Sequence, residues 1–201
     1  HAEKRIGLSA AYSAFDTSGT ETMKSSGKVN TTSKDEKVIV PSIFFEVAND
    51  AGLALGIDYV PAEAELGSGT RSDDDEETTG DNKASAEVTG HTTVYALIPL
   101  RDSGAYAKVG VARASIDTTE NLATGTTYGN ADVNGIMVGF GFNRSGDNGT
   151  FFRIEGTYTD YESVKYNGSF NGNAAGDSAN KNVVEADVDA LAARISVGKS
   201  F

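Results

Sequence analysis

Strand-like segments in this chain are joined alternately by long polar connections and by very short turns. The long connections are 16–36, 62–83, 117–131 and 162–184, and the short turns are 49–52, 101–104 and 144–149. Because the two kinds alternate throughout, the long connections would all lie at one end of the molecule. This rhythm predicts an all-β fold of about eight antiparallel strands. It is the layout of an up-and-down barrel that crosses a membrane, with short turns on one side and long loops on the other.

Within these segments apolar residues alternate with small or polar ones, as in strands whose two faces meet different environments. In the first strand Ile6 and Leu8 share one face, and Gly7 and Ser9 share the other. Further strands are predicted within 37–48, 53–59, 88–100, 105–115, 136–142, 152–158 and 191–201. The segment 88–100 has apolar residues in both registers, and we predict there that Tyr95 and Leu97 face lipid.

The bulk composition does not contradict a membrane barrel. Hydrophobic residues make up 38% of the chain and the mean hydropathy is -0.32. No stretch approaches the ~18–20 apolar residues of a spanning helix, but a spanning strand needs only ~9–11 residues of which alternate ones are apolar. The net charge of -12 argues against nucleic-acid binding. The absence of cysteine excludes a disulfide framework and thiolate chemistry.

The first residues, His1-Ala2-Glu3-Lys4-Arg5, contain neither an initiator methionine nor an apolar signal core. The simplest interpretation is a mature protein whose signal peptide has been removed, although truncation would look the same. Strand patterning continues to the last residue, so we expect a single barrel domain over 1–201.

A soluble barrel with an apolar interior is the alternative architecture. The outer surface of such a barrel should be dense in charged residues, whereas the less apolar faces here are mostly Gly, Ala, Ser and Thr with a few charges. Small residues with sparse charges suit the narrow interior of eight strands. We therefore expect these faces to line the lumen. Their charged residues would form a lumen network: Glu46, Asp58, Lys108, Arg153, Glu155 and Arg194.

Charges inside a narrow barrel must be paired because they are poorly solvated there. A network of this kind has two possible roles. It can act as a gate or selectivity filter for ions and small solutes, or it can fill the core permanently. For eight strands we favour the filled core, since side chains alone nearly occupy such an interior.

The final segment, Leu191-Ala192-Ala193-Arg194-Ile195-Ser196-Val197-Gly198-Lys199-Ser200-Phe201, has apolar residues at alternate positions and ends on an aromatic residue. It resembles the C-terminal strand of bacterial outer-membrane barrels. In that family this strand is read by the outer-membrane assembly machinery, which would make Ile195, Val197 and Phe201 the assembly signal. Lys199 departs from the family, which often has an aromatic residue there.

The hairpin 95–111 resembles the central hairpin of OmpA-like and Opa-like small barrels. The resemblance implies the outer membrane of a Gram-negative bacterium, with outer-membrane lipid and lipopolysaccharide as surroundings.

Catalytic signals are weak. Outer-membrane hydrolases and proteases use a histidine with a serine or a carboxylate. This chain has only two histidines, the terminal His1 and His91, which we interpret as a residue at the rim. We expect no catalytic residues and no cofactor.

The acidic run Asp73, Asp74, Asp75, Glu76 and Glu77 offers oxygen ligands for Ca²⁺ or Mg²⁺ but lacks the spacing of an EF-hand loop. A solvated loop tip is the simpler interpretation.

The sequence thus favours a non-enzymatic outer-membrane barrel with a structural or surface-interaction role. Its polar segments 17–32, 122–130 and 166–182 resemble either adaptable recognition loops or disordered ones, with Tyr128, Tyr166 and Phe170 as anchors for an extracellular protein partner. The alternative is a narrow OmpW-like pore for small solutes. A lipid-modifying enzyme and a soluble ligand-binding barrel are further rivals.

Overall fold

The computed structural model describes residues 1–22, 29–73, 80–121, 126–127, 131–167, 169–170 and 183–201. Strands dominate these ranges, and within them no helix is long and apolar enough to span a membrane. The strands are β1 (Glu3–Thr22), β2 (Val29–Ala48), β3 (Ala54–Tyr59), β4 (Ala64–Asp73), β5 (Gly80–Pro99), β6 (Ala105–Asn121), β7 (Thr126–Thr127), β8 (Ala131–Ser145), β9 (Thr150–Tyr161), β10 (Val164–Asn167), β11 (Ser169–Phe170) and β12 (Val183–Ser200). A short 3₁₀ turn covers Arg101–Ser103.

The sheet closes into an eight-stranded antiparallel up-and-down barrel, as the alternation of turns predicts. Neighbouring strands follow the order β1, β2, β3, β5, β6, β8, β9 and β12, and β12 returns to pair with β1 from Arg5↔Ser200 to Thr22↔Val183. β4 continues the β3 position beside β5, and β10 continues the β9 position beside β12. Each of the eight strands pairs with two neighbours, but β2 pairs with β3 only from Ile43 to Ala48, so among the described residues its extension from Val29 to Ser42 has a ladder partner on the β1 side alone.

The three predicted short turns lie together at one end of the barrel. In the first, Gly52 has a φ of 85° and its amide donates to the carbonyl of Asn49. In the second, Gly104 has a φ of 81° and follows the 3₁₀ turn. Glycine adopts this left-handed conformation without steric cost, which explains the residue at each position. We call this end the turn end, and the opposite end the loop end.

An apolar belt surrounds the outside of the barrel. Outward side chains such as Leu8 and Ile195 are 60% and 64% exposed. On β2 the belt runs from Ile39 to Val47, about the length that a tilted spanning strand needs. Tyrosines mark its loop-end border and phenylalanines its turn-end border: Tyr12, Tyr59 and Tyr158, then Phe45, Phe142 and Phe152. This apolar exterior is the inverse of a soluble barrel and suits insertion in lipid.

Inward aromatic rings sit opposite glycines. Phe44 pairs directly with Gly7 across the β1–β2 ladder, and a Cβ on Gly7 would collide with the Phe44 ring. The same relationship recurs in four further direct cross-strand pairs: Tyr95 with Gly56, Tyr106 with Gly141, Phe151 with Gly198 and Tyr161 with Gly135. Each ring thus occupies the space above a glycine, which has no side chain. This pairing of rings with glycines lets large rings fit inside a barrel of eight strands.

The prediction that Tyr95 and Leu97 face lipid is wrong. Both side chains are buried in the lumen, with 2% and 3% exposed, and Val94 and Ile98 face outward instead. A bulge between Thr89 and Thr92 shifts the register of β5 against β6. Beyond this bulge the alternation from Thr92 to Ile98 is regular, but Tyr95 and Leu97 make the inward face apolar as well, so polarity does not distinguish the two faces there.

The segments predicted as long connections are partly strand, so the loops themselves are shorter than predicted. β1 and β2 stay paired from the belt up to Thr22↔Val29, and β5 stays paired with β6 as far as Lys83↔Asn121. Above the belt both faces of a strand meet water, so apolar alternation disappears although pairing continues. Threonine and valine are common in these extensions and favour strands.

Candidate functional site: a charged plug and an apolar chamber

The turn-end half of the lumen contains the six predicted charges, which we call the plug: Glu46, Asp58, Lys108, Arg153, Glu155 and Arg194. Its first centre joins Glu46 on β2 to Arg153 on β9. The guanidinium donates two hydrogen bonds to the carboxylate, of 2.5 and 2.8 Å, and Tyr95 donates a third of 2.7 Å. Arg5 approaches the same carboxylate at 3.6 Å. A bidentate pair between a guanidinium and a carboxylate is a strong and directional form of ion pair.

The second centre surrounds Glu155. Lys108 donates a hydrogen bond of 3.1 Å to this carboxylate and Tyr106 donates one of 2.6 Å. Arg194 lies 3.5 Å from Glu155 and donates a hydrogen bond of 2.6 Å to Asp58. Arg194 therefore links the two acids, and Ser42 also donates to Asp58.

The plug is neutral overall, because three acids face three bases. Its cations also lie against the inward rings: the Arg153 guanidinium is 4.5 Å from the ring centre of Phe151, and the Lys108 ammonium is 4.1 Å from that of Tyr95. Lys108 and Glu155 are almost fully buried. Paired charges and aromatic rings together occupy the middle of this half of the lumen, and an open space of about 160 Å³ lies between them and the turns.

The loop-end half of the lumen is different in character. A cavity of about 150 Å³ lies there, and its floor includes Asp58 and Arg194 of the plug. Most of its wall is apolar: Val38, Val40, Val60, Ala114, Ile116, Val133, Met137 and Ala190. We call this cavity the chamber.

His91 and Tyr161 form a polar pair on the chamber wall. Their Nε2 and hydroxyl oxygen are 2.6 Å apart, and their rings meet edge to face. Gly90, with a φ of 63°, and His91 form the bulge in β5, and the bulge turns His91 inward. His91 was predicted as a residue at the rim, and Tyr161 was not among the predicted site residues. The Gly90-His91 dipeptide was the available signal for a bulge.

A row of aspartates crosses the outer face just above the tyrosines. Asp35, Asp16, Asp189 and Asp160 are successive direct partners on β2, β1, β12 and β9. The pKa of the Asp16 carboxyl is raised, because its protonated form hydrogen bonds to Asp35 and because repulsion from Asp35 and Asp189 disfavours its ionised form. On the far side of the barrel, hydrogen bonds from Arg113 and Ser115 hold the pKa of Asp132 below its usual range.

The remaining predicted sites lie apart from the lumen. Ile195 and Val197 belong to the outer belt, and the backbone of Phe201 exchanges two hydrogen bonds with Lys4 where β12 meets β1. Asp73 ends β4, whereas Asp74, Asp75, Glu76 and Glu77 lie outside the described residues. The proposed anchor Tyr128 also lies outside them, and Tyr166 and Phe170 belong to β10 and β11.

Comparison with known proteins identifies the architecture. No protein-family model matches the sequence, and no curated protein matches it. The fold is similar to that of the outer membrane protein OprG from Pseudomonas aeruginosa, with a TM-score of 0.56 and 14% identity over 98% of this chain and 95% of that chain. It is also similar to the outer membrane protease OmpT from Escherichia coli, with a TM-score of 0.55 and 10% identity over 99% of this chain and 97% of that chain. At such low identity the likeness establishes the outer-membrane barrel fold alone.

Proposed function

We propose that this chain is a non-enzymatic barrel of the OmpA-like kind in the outer membrane of a Gram-negative bacterium. Its role would be structural and at the surface: a closed barrel anchors acidic strands and loops that face the outside of the cell. Two solved outer-membrane proteins with the same fold support the location. The apolar belt supports it independently, because outward Leu, Ile, Val and Phe side chains would be poorly tolerated in water.

The plug is the observation that carries the closed-barrel role. Two ion-pair centres and four aromatic rings occupy the turn-end half of the lumen, and within the second centre Arg194 joins Asp58 to Glu155. Opening a path would require separating buried ion pairs, at a cost of several kcal/mol for each pair. A pore that opens by rearranging these pairs is the second candidate, and ion conductance separates the two.

The strands beyond the belt support the surface role. β1 and β2 continue together well past the tyrosine border, and their outward residues there are polar or acidic. Lipopolysaccharide would surround the base of these extensions, and an extracellular protein would contact their ends. During biogenesis the outer-membrane assembly machinery would bind the β12 segment that contains Ile195, Val197 and Phe201.

In the proposed non-enzymatic role His91 has no catalytic part. Among the described residues its hydrogen-bond partner is Tyr161, and no serine or carboxylate oxygen there is hydrogen bonded to the imidazole. A histidine without such partners is poorly suited to activate a nucleophile.

Cysteine labelling of intact cells tests the location and orientation. The chain has no native cysteine, so a single introduced thiol reports its own position. Ser33→Cys, on an exposed part of β2 near the loop end, should react with a membrane-impermeant maleimide. Asp147→Cys, in the turn between β8 and β9, should react only after the cells are permeabilised. Reaction of Asp147→Cys in intact cells, with Ser33→Cys protected, would reverse the orientation and contradict the proposal.

A further inference from the structure

We propose that the chamber binds one small uncharged molecule that has an apolar ring or short chain and a single hydroxyl or carbonyl group. A cavity of about 150 Å³ has the size that accommodates a benzene-sized molecule. The plug closes the lumen beneath it, so the chamber is a dead end for its occupant. This site is independent of the surface role proposed above.

The wall determines the apolar part of the ligand. Val40 on β2 and Val133 and Met137 on β8 face the cavity, and Ala114 and Ile116 on β6 pack with Val133 in one buried cluster. Water gains few hydrogen bonds from such a wall, whereas an apolar molecule gains dispersion contacts and is removed from water.

The charges near the chamber determine that the ligand is neutral. Arg194 and Asp58 at the floor are hydrogen bonded to each other, and Glu36 at the wall lies 3.9 Å from the ammonium of Lys34. The charged residues that line the chamber therefore have partners of opposite sign. A charged ligand would lose its hydration without gaining a free counter-charge.

The His91–Tyr161 pair supplies a polar contact on a wall that also carries the hydroxyl groups of Ser13, Thr93 and Thr159. A bulge at Gly90 and His91 interrupts β5 at this level, and bulges often turn a side chain towards a binding site. The Tyr161 hydroxyl, on the chamber wall, can form a further hydrogen bond besides the one that it shares with Nε2 of His91. One hydroxyl or carbonyl group on the ligand matches this pair.

The test uses the whole chain, folded in phosphatidylcholine nanodiscs, with p-cresol as the probe. The chain has two methionines, so ¹³C-methyl labelling of methionine gives a simple spectrum in which Met137 reports on the chamber. The proposal predicts a saturable shift of the Met137 methyl resonance. A shift that rises in proportion to added cresol without saturating indicates partition into lipid and overturns the proposal.

A matched pair of variants on β8 locates the binding. Val133→Phe fills the chamber and should abolish the saturable shift, whereas Val138→Phe, on the lipid face of the same strand, should retain it. Ala114→Leu fills the chamber from β6 and serves as a second blocking variant. Heat-dependent mobility in gels checks that each barrel is folded. Saturable binding that persists in both folded blocking variants overturns the proposal.

Comparison of p-cresol with toluene tests the polar contact. One added hydrogen bond should make p-cresol bind about fivefold to tenfold more tightly than toluene, beyond their difference in partition into lipid. In the double variant His91→Phe/Tyr161→Phe this preference should disappear while toluene still binds. Equal binding of the two probes to the unmodified chain overturns the assignment of the hydroxyl or carbonyl group.

Discussion

Arg153 on β9 donates two hydrogen bonds across the lumen to the carboxylate of Glu46 on β2. The two residues are 107 positions apart in the chain. The strands that carry them are not neighbours in the sheet. The pair therefore ties together parts of the wall that the backbone ladder connects only indirectly. It is the structural centre of the plug.

Removal of the Glu46 charge should destabilise the barrel strongly. Glu46→Gln keeps the shape of the side chain but leaves the Arg153 guanidinium buried without its counter-charge. We expect the free energy of unfolding to fall by about 3–5 kcal/mol, measured by urea titration in lipid vesicles. Glu3→Gln is the matched control, because Glu3 is half exposed in its pair with Arg5 and should cost under about 1 kcal/mol. Equal losses in the two variants would contradict a stabilising plug.

Because inward rings occupy the space beside certain glycines, an added methyl group should lower the free energy of unfolding at those glycines and not at others. Gly198→Ala places a Cβ against the Phe151 ring and the carbonyl oxygen of Ile6, so we expect a loss of about 1–3 kcal/mol. Gly156→Ala on the adjacent β9 meets no atom within 4 Å and should leave stability nearly unchanged. Urea unfolding of both variants decides the point. A Gly198→Ala barrel as stable as Gly156→Ala would show that the ring does not need the glycine.

The row of aspartates predicts pH-dependent pairing above the belt. The folded-state pKa of Asp16 lies above its ordinary value of 3.8, so ionisation of this carboxyl disfavours the paired state. The extension of β1 and β2 should be most protected at pH values below the unfolded-state pKa, and it should lose protection as the pH rises through the folded-state pKa. Hydrogen exchange of the amides in 13–22, corrected for the intrinsic rate, measures this loss.

Asp16→Asn should remove most of that pH dependence and slow the exchange at neutral pH. Asp147→Asn, in a turn at the other end of the barrel, is the control and should change neither quantity. Unchanged pH dependence in Asp16→Asn would show that repulsion along the row does not govern the extension.

The fold could be predicted from the sequence because its two determinants are local. Alternation assigned Glu46 and Lys108 to the inner face, and the glycine-containing turns fixed which strands are neighbours. The error at Tyr95 arose because Tyr95 and Leu97 make the inward face of β5 apolar, so polarity does not distinguish it from the lipid face. The paired extensions were missed for a related reason: when both faces of a strand meet water, polarity no longer distinguishes a strand from a loop.

The arrangement of the site could be predicted only in part from the sequence. The alternation indicates that Glu46 and Arg153 share the lumen, but which acid meets which base depends on the tilt and stagger of the whole barrel. The chamber depends in the same way on Val40 from β2 and on Val133 and Met137 from β8, which is not a neighbour of β2 in the sheet. Only the closed structure brings these residues to one level above the plug.

Single-channel recording in planar lipid bilayers tests the closed lumen most directly. We predict that the purified, refolded chain inserts without producing steady conductance steps, because the plug fills the path. Gel mobility with and without boiling confirms that the inserted protein is folded. Steady steps that change in size when Arg153 or Lys108 is replaced by glutamine would contradict the closed lumen and identify the plug as the filter of a pore.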